Sequence, residues 1–260
     1  MIYGINSAYG GNMKVLISDL DGTLLFGDDK HKAVKEKDFK KIIELQAKGH
    51  KFGSCTGRGM EGARRGCEEV PFDFIIANSG AYITLGDGSV LLHKMIPMRI
   101  VKEVVSFIGE DTQYIFIAPK GSYIYHPKRW WRYEEIDTLE VLPDEIEGFS
   151  IELDDEVLAR ETLNKLLPVF KDRLGMYQNA GSIDVVAYGC TKGTGVRLIQ
   201  EYYGLRDEEV FVIGDHYNDL PMFEASKNAF TFPSSPKEVK EKATYIVDSL
   251  ADAVDQILNK

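Results

Sequence analysis

Two aspartates, Asp19 and Asp21, stand two residues apart where the apolar run Val15-Leu16-Ile17-Ser18 gives way to Gly22-Thr23-Leu24. Residues spaced by two share one face of a strand, so both carboxylates are expected at the carboxyl edge of a sheet. Open α/β sheets bind ligands in the crevice beyond those strand ends. A carboxylate pair there can hold a cation, or divide the work of nucleophile and general acid/base. The plainer account is a strand-end Asp capping a turn, with Asp-Gly as turn chemistry. Three further islands bear on the choice: Thr56-Gly57-Arg58, Lys192-Gly193 and Gly214-Asp215-His216-Tyr217-Asn218-Asp219. Asp215 and Asp219 are spaced i, i+4 and converge if the residues between them turn into a helix. With Asp19 they would form an all-oxygen site suited to a hard divalent cation; alone they would simply complement a helix dipole. Thr56 offers a hydroxyl donor and Lys192 a point charge, both suited to a phosphoryl group. Arg58 and Asn78 are placed to face the same cleft, Arg58 as substrate ligand or equally as ion-pair partner. Asn218 is expected to orient the carboxylates or the metal loop. His216 reads as a packed or solvated side chain and stays outside the site.

The elements that must hold these residues alternate between strand-like and helix-like stretches. A helical stripe at Phe39, Ile42, Ile43 and Leu45 lies within Val34–Lys48, with Gly49 as its terminator. Lys51–Cys55 reads as a short strand, Gly59–Glu68 as a helix, and Phe74–Ala77 as a buried parallel strand. From Ala81 to about Asp184 the pattern changes to hairpins and short strands, the first being Tyr82–Leu85 against Val90–His93 across Gly86-Asp87-Gly88. Helices near Met98–Ile108 and Glu156–Phe170 lie among them. From Thr191 the α/β pattern returns, with helices near Gly195–Tyr203, Leu220–Ala225 and Leu250–Leu258 and a strand at Val210–Ile213. The predicted organisation is a loose leader over 1–12, an α/β core made of 13–80 and 185–260, and an inserted α+β domain over 81–184.

The four islands, in this order and with a long insertion between the second and third, resemble the haloacid dehalogenase superfamily of phosphotransferases. The Thr-Gly-Arg, Asn-x-Gly, Lys-Gly and Gly-Asp-x-x-Asn-Asp forms look like its Cof-type sugar-phosphatase branch, and the insertion like a type IIB cap. The resemblance implies a Rossmann-like core with a parallel sheet and a phosphatase. It also implies Asp19 as the nucleophile that becomes an aspartyl phosphate, and Asp21 as the acid/base. Asp19, Asp215, Asp219 and the backbone carbonyl of Asp21 would then hold Mg2+, and Thr56, Gly57 and Lys192 would bind phosphate. The cap would exclude water and choose the leaving group. Its stretch Tyr123–Tyr133, rich in aromatic and basic residues, reads either as a sugar-phosphate contact or as an exposed cap edge.

Across 260 residues, a net charge of −10 argues against a nucleic-acid partner but not against a small phosphorylated metabolite beside a cation. No apolar run approaches the length of a membrane span, and Met1–Asn12 lacks the pattern of a secretory signal. Cys55, Cys67 and Cys190 lack metal-type spacing and read as reduced, packed thiols in a cytoplasmic protein. Two competing readings share the acidic cluster: a phosphomutase that passes its aspartyl phosphate to a sugar hydroxyl, and a non-enzymatic metal-binding or signalling domain. Asp21 separates the last from the enzymes, because a pure metal site needs no second free carboxylate.

Overall fold

The computed structural model describes residues 13–27, 32–127 and 133–260. The expected leader over 1–12 and the basic-aromatic centre of Tyr123–Tyr133 at 128–132 lie outside the described residues.

The short apolar runs form one eight-stranded sheet. From one edge its order is Tyr245–Ile246, Asn228–Thr231, Val210–Ile213, Val15–Ser18, Lys51–Cys55, Phe74–Ala77, Tyr82–Leu85 and Val90–His93. The first six strands run parallel, and register puts Ser18 opposite both Ile213 and Ser54. All four residues of Val15–Ser18 are buried, as a strand with helices on both faces demands. Alternation divides its side chains between two cores. Leu16 joins Phe52, Ile75, Phe211 and Ile213 under the helices Glu36–Ala47 and Leu250–Leu258. Val15 and Ile17 join Phe74, Ile76 and Val212 under the helix Lys192–Tyr203.

A second, six-stranded sheet has the order Glu134–Ile136, Gly121–Tyr125, Gln113–Ala118, Gly148–Glu152, Ser182–Ala187 and Leu174–Asn179. One face packs on the helices Met98–Ile108 and Glu156–Phe170 through Phe116, Phe149, Ile151, Ile183 and Val185. The other face turns toward the loops at the carboxyl ends of the first sheet.

Two expectations are corrected. The hairpin Tyr82–His93, assigned above to the insertion, extends the core sheet, Phe74–Ala77 pairing antiparallel with Tyr82–Leu85. The change of sheet therefore falls after His93 rather than at Ala81, because an unpaired edge beside a buried strand is better covered by the next hairpin. The helix expected over Gly59–Glu68 is a single turn, Met60–Ala63. Gly62 and Gly66 weaken it, and the Gly62 and Arg65 carbonyls accept from Arg58 Nη1, each at 3.0 Å. All three cysteines are buried and free. Among the described residues no helix is long and apolar enough to cross a membrane.

Candidate active site

Four loops at the carboxyl ends of adjacent parallel strands converge. The backbone N–H of Asp19 donates to the Ile213 carbonyl at 2.9 Å, continuing the ladder one residue beyond Val15–Ser18. The chain then bends sharply: Gly22 has φ +85°, and a Cβ there would lie 2.5 Å from Asp215 Oδ2. Only glycine allows Asp215 so close to this turn. Thr23 Oγ1 donates to Asp215 Oδ1 at 2.8 Å.

Lys192 begins its helix directly after the cap Thr191, whose hydroxyl accepts from the Thr194 N–H in a reciprocal capping box. Its ammonium is buried and bridges two carboxylates, donating to Asp19 Oδ1 at 2.5 Å and Asp219 Oδ1 at 2.6 Å. The other oxygen of Asp219 accepts the Asp215 and His216 N–H groups at 2.9 and 3.0 Å, which ties down the 214–219 loop. Carboxylate oxygens of Asp19, Asp215 and Asp219 lie within 4.8 Å of one another. Burial, with Asp219 and Asp215 alongside, pushes the Asp19 carboxyl well above the ordinary range against the pull of Lys192. Burial draws the Lys192 ammonium down, but Asp19 and Asp219 outweigh it and hold it well above the usual lysine value. Three carboxylates thus share one buried ammonium. A set of hard oxygen donors short of positive charge fits a divalent cation such as Mg2+.

The side chain of Asp21 is not part of that group. Arg58 clamps it through two hydrogen bonds, Nη2 to Oδ1 at 2.6 Å and Nε to Oδ2 at 2.7 Å, and Lys32 Nζ reaches Oδ1 at 2.7 Å. Burial raises the Asp21 carboxyl, but the Arg58 guanidinium and then Lys32 outweigh it, and the net direction is downward. Of the two roles left open for Arg58, the structure shows the ion pair. Thr56 Oγ1 accepts the Arg58 N–H at 3.1 Å, which directs its own proton elsewhere. Asn78 and Ser79 both sit at φ 46°, a strained conformation for residues with a Cβ. Asn78 Nδ2 donates to Glu147 at 3.2 Å, while its buried Oδ1 has no hydrogen-bond partner among the described residues.

These residues line a cavity of about 310 Å³ shared with the second sheet. It brings together Asp19, Asp21, Thr56, Gly57, Arg58, Asn78, Asp215 and Asn218 of the residues singled out above, and adds His216. Lys192 and Asp219 lie beneath, buried. Glu152, Asn179 and Asp184 form part of its roof and escaped the sequence reading. Asp184 interrupts the apolar run Ile183-Asp184-Val185, the one signal that marks it. Its carboxyl is pushed up to about 6 by burial and by neighbouring Glu152.

A family model described as haloacid dehalogenase-like hydrolase matches residues 16–258. A 5-amino-6-(5-phospho-D-ribitylamino)uracil phosphatase of Escherichia coli, YbjI, is 22% identical over 95% of this chain and 97% of its own length. Among solved structures, SMU.1108c of Streptococcus mutans superposes with a TM-score of 0.83 at 19% identity, covering 95% of this chain and all of that one. BT4131, titled a subclass IIB sugar phosphatase, superposes at 0.79 and 20% identity, covering 95% and 98%. Both structures share the fold.

Proposed function

This chain belongs to the haloacid dehalogenase-like hydrolases and is a phosphatase, and from that premise we propose a Mg2+-dependent phosphomonoesterase that acts through an aspartyl phosphate on a sugar phosphate. The observation that carries this reading is Lys192 bridging Asp19 and Asp219 beside Asp215. That arrangement sets a carboxylate nucleophile next to positive charge where a phosphoryl group must be neutralised. Asp19, Asp215 and the Asp21 carbonyl would hold the cation. Asp219, expected as a further ligand, has both carboxylate oxygens engaged, one by Lys192 and the other by the Asp215 and His216 N–H groups, and would instead anchor Lys192 and the loop. When bound, the ion would neutralise phosphoryl oxygens and offset the carboxylate excess.

The protein's own groups divide the remaining work. A carboxylate oxygen of Asp19 attacks phosphorus, the new O–P bond forming as the bond to the leaving oxygen breaks. Lys192 and the Thr56 hydroxyl stabilise the equatorial oxygens. Asp21 delivers a proton to the leaving oxygen and then takes one from the water that hydrolyses the aspartyl phosphate. The ion pair with Arg58 favours the ionised form of Asp21, the form the second step requires. Asn218, on the cavity wall, orients the loop carrying Asp215, and the second sheet serves as the cap. Three buried thiols suit a reducing, cytoplasmic compartment.

The decisive measurement is phosphate release from a monoester panel by Asp19→Asn, with circular dichroism as the check on folding. The expected result is loss of turnover with the fold retained, and unchanged release would overturn the assignment. Phosphate release from monoesters without a bisphosphate activator separates this activity from a phosphomutase.

A further inference from the structure

The turn that ends the strand Phe74–Ala77 touches several parts of the phosphate site. The Asn78 N–H donates to the Arg58 carbonyl and the Ser79 N–H to the Thr56 carbonyl, both at 2.9 Å, so the turn grips the Thr56-Gly57-Arg58 loop along its main chain. On its other side it abuts the start of the Lys192 helix: a Cβ on Gly80 would run into the Thr191 carbonyl oxygen. Asn78, Ser79 and Gly80 all have positive φ, at 46°, 46° and 97°. The first two carry side chains, and such a conformation persists only where the surroundings enforce it.

One enforcing contact comes from the second sheet. Asn78 Nδ2 donates to Glu147 Oε2 at 3.2 Å. This is the only side-chain hydrogen bond of Asn78 among the described residues, its Oδ1 being buried without a partner there. Glu147 is itself buried and held twice more. Its N–H donates to the Ile117 carbonyl at 2.8 Å, and His93 Nε2 lies 3.1 Å from its Oε1. An ionised carboxylate only accepts, so His93 serves it as a donor. Each oxygen of this buried carboxylate therefore meets one donor from the core sheet.

We propose that Glu147 is a positioning residue for phosphoryl transfer: by holding the Asn78 amide it fixes the 78–80 turn, and through that turn the Thr56 hydroxyl and the Lys192 ammonium. This rests on the phosphatase reading and adds to it a group that never touches the phosphate. Without Glu147 the Asn78 amide is left buried and unpaired, and the turn is free to relax out of its strained φ. Small displacements of donors around a reacting group lower the rate steeply.

The test uses the full chain with Mg2+, assayed with p-nitrophenyl phosphate and a panel of sugar monophosphates. Glu147→Ala is expected to lower kcat about tenfold or more, with KM moving less than about threefold. Inhibition by orthovanadate, which mimics five-coordinate phosphorus, should weaken by about the same factor as kcat. Asn78→Ala should do likewise, and the double variant should be no worse than either single one. Glu145→Ala, exposed and two residues away, should match wild type. The rise in melting temperature on adding Mg2+ should persist in Glu147→Ala, because the carboxylates around Lys192 are untouched. Wild-type kcat in folded Glu147→Ala overturns the proposal, as do losses that multiply in the double variant. Disappearance of the Mg2+ effect would place the damage in the cation site and overturn it as well. If Glu147→Ala does not fold, Glu147→Gln takes its place: its amide sets an N–H against one of the two donors, and the same loss is expected. Absence of phosphate release from every ester by wild type removes the phosphatase reading itself, and this inference with it.

Discussion

The carboxylates at the site have been pushed in opposite directions by their neighbours. Asp21 is held low by Arg58 and Lys32 against burial. Replacing Arg58 with alanine leaves burial as the largest influence, so the Asp21 pKa should rise. The acid limb of the pH profile for hydrolysis of the phosphoenzyme should then move to higher pH, measured by single-turnover kinetics. A limb that stays in place would show that another group titrates there. Asp184 is the reverse case, raised from 3.8 to about 6 by burial and Glu152. A carboxyl raised in the folded state favours folding while protonated, and that advantage is lost as pH climbs through about 6. Asp184→Asn should therefore raise the melting temperature at pH 8 by a few degrees. The gain should fade between pH 6 and 4, and calorimetry across that range decides it. The sequence made Asp19, Asp21, Asp215 and Lys192 legible because ordered motifs mark the ends of strands. Asp184 carries no such motif: alternation says that it faces away from Ile183, but not that a catalytic loop lies beyond.

Helix and strand limits were legible wherever the apolar period was long. Met98–Ile108, Glu156–Phe170 and Leu250–Leu258 fall where the spacing put them. The helix at Lys192–Tyr203 begins three residues earlier than expected, because Thr191 and Thr194 cap each other and so place Lys192 in the first turn. Thr191→Ala should cost about 1 kcal/mol of stability, read from denaturant midpoints. It should also lower kcat more than it raises KM, since it loosens the ammonium that faces the nucleophile. The strands Asn228–Thr231 and Tyr245–Ile246 gave no signal: the first has polar residues at both ends and lacks the continuous apolar run that marked Val15–Ser18, and the second is only two residues long. Their place at the sheet edge is set by the parallel ladder beside them.

At the scale of the molecule, one negative cluster is surrounded by two well-packed sheets. Three carboxylates around Lys192 repel one another, so a bound divalent ion stabilises the folded chain by mass action. Millimolar Mg2+ is expected to raise the melting temperature by several degrees, and chelation to reverse it. Asp215→Asn should lose most of that rise, in a scan that needs no substrate. The two sheets are also joined away from the cavity floor. Glu147, at the start of the cap strand Gly148–Glu152, takes hydrogen bonds from Asn78 and at 3.1 Å from His93, whose ring stacks on Tyr82 at 4.0 Å. The core hairpin that the sequence assigned to the insertion is thereby part of the brace between sheets. Pattern alone could not reveal this, because both assignments bury the same apolar residues.

The alternation along Gly148–Glu152 and Ser182–Ala187 has a consequence for how such a protein changes over generations. Every second position contributes to a hydrophobic layer and is constrained by it, while the positions between face the cavity and the loops of the other sheet. Mutations at the latter are expected to leave the hydrophobic layer intact. What holds the second sheet together and what it presents to the catalytic loops are thus separately open to change.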